Sequence, residues 1–263
     1  MEKTVNKKNF EQWSGLSEAY HDIRPTPPEA IIKIILAWLG KNPDVVVDVG
    51  CGTGLSTVIW KDVAAKTIGI EPNDDMRKTA EENAADGRVT FQKGLSNEMN
   101  LPADYADVIT VSQAFHWMDI DSTLDEFYRV LKKDGVLAIY DFALPPIIDW
   151  EVEKAFLQLR TKCSEIYYAQ EAPPVLNDKN TYCSRIKLHD KFRYVREAAC
   201  HGIGKYTAQS VMKFALSTSN ALYAMEIDSK IKKDVEEFFD VVRAKCSNEL
   251  EIIFPYAIVI AVK

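Results

Sequence analysis

Basic residues are in deficit in this sequence. It has 32 lysines and arginines against 39 aspartates and glutamates, a net charge of −7 and a pI near 5.3. A surface built to neutralise nucleic-acid phosphates needs the opposite balance, so nucleic acid is not an expected partner. Long apolar runs are missing too. The longest helical one, AIIKIILAWLG at 30–40, is interrupted by Lys33 and is too short to span a bilayer. The first fifteen residues hold no apolar signal region, so no membrane partner is expected. The five cysteines, Cys51, Cys163, Cys183, Cys200 and Cys246, are odd in number, scattered, and form no CxxC pair. That pattern argues against disulfides and a zinc site, and for reduced thiols in the cytoplasm. Internal repeats and low-complexity segments are absent. What remains is 263 residues with a hydrophobic fraction of 47%, which suits one large domain or a domain with a sizeable insertion.

Glycine is scarce as well, at 11 residues, yet three fall in the single stretch DVVVDVGCGTGLST at 44–57: Gly50, Gly52 and Gly54. Such a cluster means that the backbone bends sharply or lets something approach closely. Upstream, Thr26 and Glu29 form a capping box with Pro27 at the first helical position, which predicts a helix to Leu39, stopped by Gly40. Short apolar strands and helices then alternate. DVVVDVG is a strand and LSTVIWKDVAA a helix. KTIGIEP is a strand, and NDDMRKTAEENAA a helix capped by Asn73 or Asp74. RVTFQKG and ADVITVSQAF are strands. DSTLDEFYRVLKKDG is a helix capped near Asp121 or Ser122 and ending at Gly135, and GVLAIYDFAL is a strand. This alternation predicts an α/β, doubly wound, mostly parallel sheet covered on both faces.

After Pro145-Pro146 the rhythm breaks. Residues 149–170 read as a helix, 171–191 as irregular with a loop at APPVLNDKN, and 192–203 as a strand. TAQSVMKFALST and DSKIKKDVEEFFDVVRAKC read as helices, and EIIFPYAIVIAVK as a closing strand. The expected divisions are a helical N-terminal lid at 1–40 and a cofactor-binding core at 41–144. A mainly helical cap at 145–245 is interrupted by the sixth strand at about 192–203, and a closing strand occupies 246–263.

The glycines thus sit at the first strand-to-helix turn of an open sheet, where ligands bind outside the carboxyl ends of the strands. Two ligand classes use such a turn. A dinucleotide needs G-x-G-x-x-G/A, and Leu55 stands where the third glycine belongs. S-adenosylmethionine sites carry an acidic residue followed by G-x-G-x-G, and DVGCGTG has that form with Asp48 at its head. Both classes want a carboxylate at the end of the second strand to accept from two ribose hydroxyls, and Glu71 in IGIEPN supplies it. Strand, glycine turn, helix, strand and acid together are more specific than a glycine triplet alone.

With VVDVGCGTG, IGIEPNDDM and QAFHWMD in order and at family-like spacing, the chain resembles a class I S-adenosylmethionine-dependent methyltransferase with a methyltransferase type 11-like core. YHDIRPTPP and the tail FPYAIVIAVK resemble the branch that includes trans-aconitate methyltransferase-like, small-molecule enzymes. The resemblance covers about residues 10–145 and the final strand. It implies a seven-stranded Rossmann-like sheet with the last strand antiparallel, S-adenosylmethionine as cofactor, and a small-molecule acceptor such as a carboxylate.

The resemblance also implies residue roles. Asp48 and Gly50 would hold the methionine amino end, Gly52 would leave room for the cofactor, and Cys51 and Gly54 would complete the turn. Glu71 would bind the ribose, with Pro72 and Met76 near the adenine. The family's adenine edge is often G-x-A-E. This chain has Gly94-Leu95-Ser96-Asn97, so the adenine would be read by backbone N–H groups or by Ser96 beside Leu95. The Gln113 carbonyl would meet the cofactor amine, and Tyr20 and Arg24 would close over the methionine carboxylate. His116 is either a general base or a loop-orienting residue, with Trp117 as a pocket wall. Plain alternatives stand beside these: Asp48 as a helix cap, Glu71 as a surface acid, Arg24 as an ion-pair partner, Tyr20 as a core aromatic. The cap offers Trp150, Tyr167, Tyr168, Tyr182 and Tyr206, and the cations Lys162, Arg185, Lys187, Arg193 and Arg196, to shape an acceptor site. No metal site is expected, and the chain is expected as a monomer or homodimer. A tRNA or protein methyltransferase, or a cofactor-binding protein without catalysis, remains an alternative.

Overall fold

The computed structural model of the chain describes residues 11–84, 87–171, 176–246 and 249–263. Residues 1–10 of the expected lid and 172–175 of the expected loop lie outside these. Runs rich in valine and isoleucine form β1 (Val45–Val49), β2 (Lys66–Ile70), β3 (Val89–Gln92) and β4 (Ala106–Ser112), and longer strands form β5 (Leu131–Phe142), β6 (Tyr194–Tyr206) and β7 (Leu250–Val262). They make one sheet in the order β3-β2-β1-β4-β5-β7-β6. Neighbours from β3 to β5 are parallel, and β7 runs antiparallel between β5 and β6. The predicted mostly parallel, seven-stranded sheet with an antiparallel last strand is what forms.

Alternation within the strands builds two cores. Val46, Val108, Val136 and Ala138 belong to one apolar cluster, and their neighbours Val47, Ile109, Leu137 and Ile139 to another. Successive side chains of a strand point to opposite faces, so the clusters lie on opposite sides of the sheet. The first is completed by α2 (Glu29–Leu39), α5 (Trp150–Tyr168), α7 (Ala208–Leu216), α8 (Ser219–Ile227) and α9 (Ile231–Lys245). The second is completed by α4 (Ile120–Val130) and α6 (Tyr182–Leu188). The chain leaves β3 at one edge and returns beside β1 as β4. The strand order therefore reverses between β1 and β4, and a crevice opens above their carboxyl ends. Two further helices, α1 (Ser17–Ile23) and α3 (Asp74–Asn83), flank that crevice.

Several local expectations are corrected. The segment after the glycine turn, LSTVIWKDVAA, is not an α-helix; it is a series of tight turns around one 3-10 turn, Val58–Trp60. Ser56 and Thr57 are drawn under the turn by hydrogen bonds to Asp48, which holds the segment in that tighter winding. The Thr26 capping box does not form. The N-cap is Pro28, in extended conformation and without a side-chain cap, because a residue that precedes proline is kept out of the helical region and Pro27 precedes Pro28. Gly40 ends the helix in a left-handed conformation, as expected. Asn73 caps α3 through a bond from the Met76 N–H. Asp119, not Asp121 or Ser122, caps α4, which stops at Val130 because Leu131 already pairs with Ala106 in the sheet. The helices α1, α6 and α8 have no individual counterpart among the helices expected from the sequence, although they fall within the spans expected as a helical lid and a mainly helical cap.

At the amino ends of the strands, the buried carboxylate of Asp107 accepts from the backbone N–H groups of Asp44 and Val45, each at 3.0 Å, and from Lys41 and Lys132, each at 2.8 Å. Burial alone would raise this carboxyl; the lysine and Val45 hydrogen bonds outweigh it and hold it at about 2. Its folded value lies below its unfolded one, so its contribution is present above pH 4 and lost as the pH falls towards 2. Asp107→Ala is expected to cost about 2–4 kcal/mol at pH 7. Denaturant unfolding at pH 7 and near pH 2 checks this: the gap between variant and wild type should shrink at the lower pH, and an undiminished gap would contradict it.

Candidate active site

The turn after β1 places its three glycines in left-handed conformations, at φ of 67° for Gly50, 56° for Gly52 and 84° for Gly54. Space adds a separate reason at each. A Cβ on Gly50 would come within 2.6 Å of the Ala114 Cβ, and one on Gly54 within 2.9 Å of the Phe91 ring. A Cβ on Gly52 would meet nothing within 4 Å, and Gly52 lines a cavity. Gly50 and Gly54 therefore serve packing, and Gly52 keeps room for whatever lies against the backbone. The Gly50 and Cys51 N–H groups both donate to the Ile70 carbonyl, at 2.8 and 3.1 Å, which ties the turn to the end of β2.

Glu71 follows β2 and is 7% exposed. Its two carboxylate oxygens accept one backbone N–H each, from Gly52 and from Asn73, both at 2.9 Å. Each oxygen keeps a lone pair for a further donor. Burial pushes the carboxyl up to about 7, against the lowering effect of those two bonds and the nearby Arg77 charge. A buried carboxylate held ready beside a glycine cradle fits a ligand that brings two hydroxyl donors.

The cavity above these groups measures about 1220 Å³ including its open mouth. Pro72 and Met76, from the loop after β2 and from α3, line one end together with Gly94-Leu95-Ser96-Asn97. The Ser96 hydroxyl is engaged with Thr123 at 2.7 Å and the Asn97 amide donates to Ser122 at 3.3 Å, which leaves the backbone groups and the Asn97 amide oxygen of this segment for a flat ring. Gln113 lines the wall after β4 with φ 56°, a conformation uncommon for a non-glycine residue. Its side chain is clamped by Lys179, which donates to its amide oxygen at 3.2 Å and to Asp141 at 3.0 Å.

The N-terminal segment covers the other side. Trp13 and Tyr20 meet edge to face, and the Arg24 guanidinium lies 4.6 Å from the Tyr20 ring centre and 5.3 Å from that of Phe214. Arg24 donates to the Ser217 carbonyl at 2.9 Å, its Nε is buried without a partner, and no carboxylate among the described residues pairs with it. Ser14, Gly15 and Ser17 hold the segment to α3 by hydrogen bonds with Asn73, Asp75 and Thr79.

Twelve of the residues singled out from the sequence line this one cavity: Tyr20, Arg24, Gly50, Cys51, Gly52, Glu71, Pro72, Met76, Leu95, Ser96, Gln113 and Trp117. Three are placed elsewhere. Gly54 lies against Phe91 and Ala80. Asp48 is fully buried beneath the turn, where it accepts the hydroxyls of Ser56, Thr57 and Thr110 at 2.7, 2.7 and 2.8 Å. His116 sits in a 3-10 turn with its Nδ1 buried and unpartnered, and burial, with Lys179 nearby, pushes its imidazole well below the ordinary value. Burial likewise raises the Cys51 thiol well above its usual range, with the Glu71 and Asp48 charges adding to the effect, so Cys51 is a small space-filler in the turn.

None of the cap aromatics or cations singled out from the sequence lines the cavity. Lys162, Arg185 and Arg193 pair with Asp234, Asp121 and Asp134, and Trp150 is 69% exposed. The aromatic wall comes instead from Trp13, Tyr20, Trp117, Phe142 and Tyr256. Thr53, Phe142 and Tyr256 went unrecognised in the sequence. Thr53 is embedded in the glycine motif itself, whereas Phe142 and Tyr256 read as ordinary core residues of apolar strands. Among the described residues no cluster of metal-ligating side chains is present, and no helix is long and apolar enough to cross a membrane.

A parallel sheet with a glycine turn after β1, an acid after β2 and an antiparallel β7 inserted between β5 and β6 is the Rossmann-like architecture of methyltransferases. Residues 47–139 match the family model described as a methyltransferase domain. A Dictyostelium discoideum protein named as a methyltransferase is 29% identical over 137 residues, covering 52% of this chain and 51% of that one. A Saccharomyces cerevisiae protein named as an S-adenosylmethionine-dependent methyltransferase is 26% identical over 148 residues, covering 54% and 49%. The chain thus spans about half the length of these curated relatives. A solved structure from Anaeromyxobacter dehalogenans, described as a type II methyltransferase, aligns with a TM-score of 0.71 at 19% identity, covering 91% of this chain and 97% of that one.

Proposed function

We propose that the protein transfers a methyl group from S-adenosylmethionine to a small-molecule acceptor, as the resemblance to the trans-aconitate methyltransferase-like branch implies. The observation that carries this reading is the pairing of the Gly52 cradle with buried Glu71 at one end of a cavity that continues past Gln113 to Phe142 and Tyr256. The unpartnered Thr53 hydroxyl and Arg24 Nε–H, both lining that cavity, fit the polar methionine end of the same cofactor. When bound, S-adenosylmethionine supplies an electrophilic methyl group on a sulfonium. Glu71 accepts the ribose hydroxyls, Met76, Pro72 and the 94–97 backbone hold the adenine, and Arg24 with Tyr20 closes over the carboxylate. Asp48 acts one layer below, fixing the turn. The aromatic walls exclude water and align the acceptor, which is most of what methyl transfer asks of a protein.

His116 is a positioning residue in this reading. Its carbonyl accepts from the Asn177 N–H at 3.0 Å, which anchors the loop carrying Trp117. His116→Ala is therefore expected to leave turnover within about tenfold of wild type, short of the 10²–10⁴-fold loss of a missing general base. At saturating S-adenosylmethionine the rate should show no inflection near pH 6.5, because a buried imidazole held well below that value is already neutral. Steady-state rates across pH 5.5–8.5 check both points. The overall reading is tested with radiolabelled S-adenosylmethionine and a metabolite extract. Label should pass to a small molecule; transfer only to polynucleotide or protein, or to nothing, would refute it.

A further inference from the structure

The three buried polar side-chain atoms that line the cavity and lack a partner among the described residues are Arg24 Nε, Thr53 Oγ1 and Tyr256 Oη. The first two belong with the cofactor. Tyr256 stands apart. It pairs with Phe142, the last residue of β5, so it lies at the carboxyl end of the parallel strands although its own strand runs the other way. In the strand order, β7 is three places from β1 and four from β2. At about 4.8 Å per strand, Tyr256 is separated from the glycine turn by roughly 14 Å and from Glu71 by roughly 19 Å. That is the far side of the cavity from the adenosine end.

Leaving a buried hydroxyl without a partner is costly, and natural cores rarely tolerate it without a reason. Tyr256 is 2% exposed, its ring packs at 5.8 Å from Phe142, and its hydroxyl has no hydrogen-bond partner among the described residues. Burial holds the phenol up, with Cys200 and Tyr206 adding to the effect, so the group is a donor at physiological pH and not a base. A fixed donor in an aromatic pocket recognises a hydrogen-bond-accepting oxygen on an otherwise apolar body.

Resting on the methyltransferase reading above, we propose that Tyr256 is the specificity-determining residue for the methyl acceptor. Its hydroxyl donates to a carboxylate or carbonyl oxygen of the acceptor, at a position that does not itself receive the methyl group. A site built around a buried donor discriminates strongly against analogues that leave it unpaired.

The test uses Tyr256→Phe, which removes one oxygen and nothing else. Benzoate and hexanoate serve as oxygen-bearing probes and benzylamine as a control without an acceptor, each titrated by NMR into protein saturated with S-adenosylhomocysteine. We expect both carboxylates to bind the wild type and benzylamine not to compete. We expect Tyr256→Phe to weaken both carboxylates about tenfold or more with S-adenosylhomocysteine affinity unchanged. Its melting temperature should be equal to wild type or up to about 4 °C higher, because an unpaired buried polar atom is gone. Equal carboxylate binding in the two proteins, no carboxylate binding to the wild type, or a lower melting temperature in the variant would each overturn the proposal. Weaker S-adenosylhomocysteine binding in Tyr256→Phe would overturn it too, by placing the hydroxyl on the cofactor. Failure of wild type to bind S-adenosylhomocysteine at all is a separate result, which removes the methyltransferase reading itself.

Discussion

Glu71→Ala is expected to weaken S-adenosylmethionine and S-adenosylhomocysteine by about 1.5–3 kcal/mol, or roughly 10- to 150-fold, the range for losing hydrogen bonds to a charged acceptor. The pH dependence gives a second handle. Burial lifts the carboxyl to about 7 in the ligand-free protein, so below that pH it is protonated and accepts less well. Cofactor affinity should therefore rise from pH 6 to pH 8 in the wild type and stay flat in the variant. The effect on stability has the opposite sign. A carboxyl with a folded value above its unfolded one favours the folded state at low pH, and that contribution is lost as the pH rises from about 4.5 through 7. For a shift of this size the loss is ~3 kcal/mol. Calorimetric titration and thermal unfolding at several pH values check both. Cofactor affinity that ignores both pH and the substitution would show that Glu71 does not meet the ribose.

Asp48→Ala should have the largest effect on the fold itself. Its carboxylate accepts three hydroxyls in a fully buried site directly under the glycine turn. Removing it strands Ser56, Thr57 and Thr110 in the interior, at about 3–5 kcal/mol, or a fall in melting temperature of about 10 °C or more. Asp48→Asn should be milder, near 1–2 kcal/mol, because hydroxyls can accept as well as donate and an amide can satisfy part of the set. The asparagine variant also separates scaffold from contact. If Asp48 acts only through the turn, Asp48→Asn keeps cofactor affinity within about tenfold of wild type. A collapse of affinity with melting temperature preserved would show that the carboxylate itself touches the methionine end.

The parts of the site that were legible in the sequence are those whose chemistry lies in local pattern. The turn required glycine at three positions because the backbone is left-handed there, and glycine clusters are visible one residue at a time. Glu71 was visible because an acid terminating an apolar strand has no packing reason to be there. The parallel strands were visible as continuous valine- and isoleucine-rich runs, since burial on both faces removes polar alternation. The misread elements share a different cause. Whether LSTVIWKDVAA winds as a helix depends on Asp48 reaching forward to Ser56 and Thr57, an interaction that no helix propensity reports. Pro27-Pro28 carried contradictory signals, a favourable first helical residue and a forbidden one before proline, and the steric rule won. Tyr256 and Phe142 were illegible because an aromatic in an apolar strand looks the same whether it meets a core or a cavity. Only the register of β5 against β7 brings the two side by side at the cavity's far end.

Calorimetric titration of the wild-type protein with S-adenosylhomocysteine, and separately with NAD, decides between the two ligand classes that a glycine turn and a ribose-binding acid can serve. The Asp48–Gly54 turn with Glu71 predicts one S-adenosylhomocysteine bound per chain at micromolar strength and no heat of binding with NAD. Binding of NAD at comparable strength, or no binding of S-adenosylhomocysteine, would contradict it.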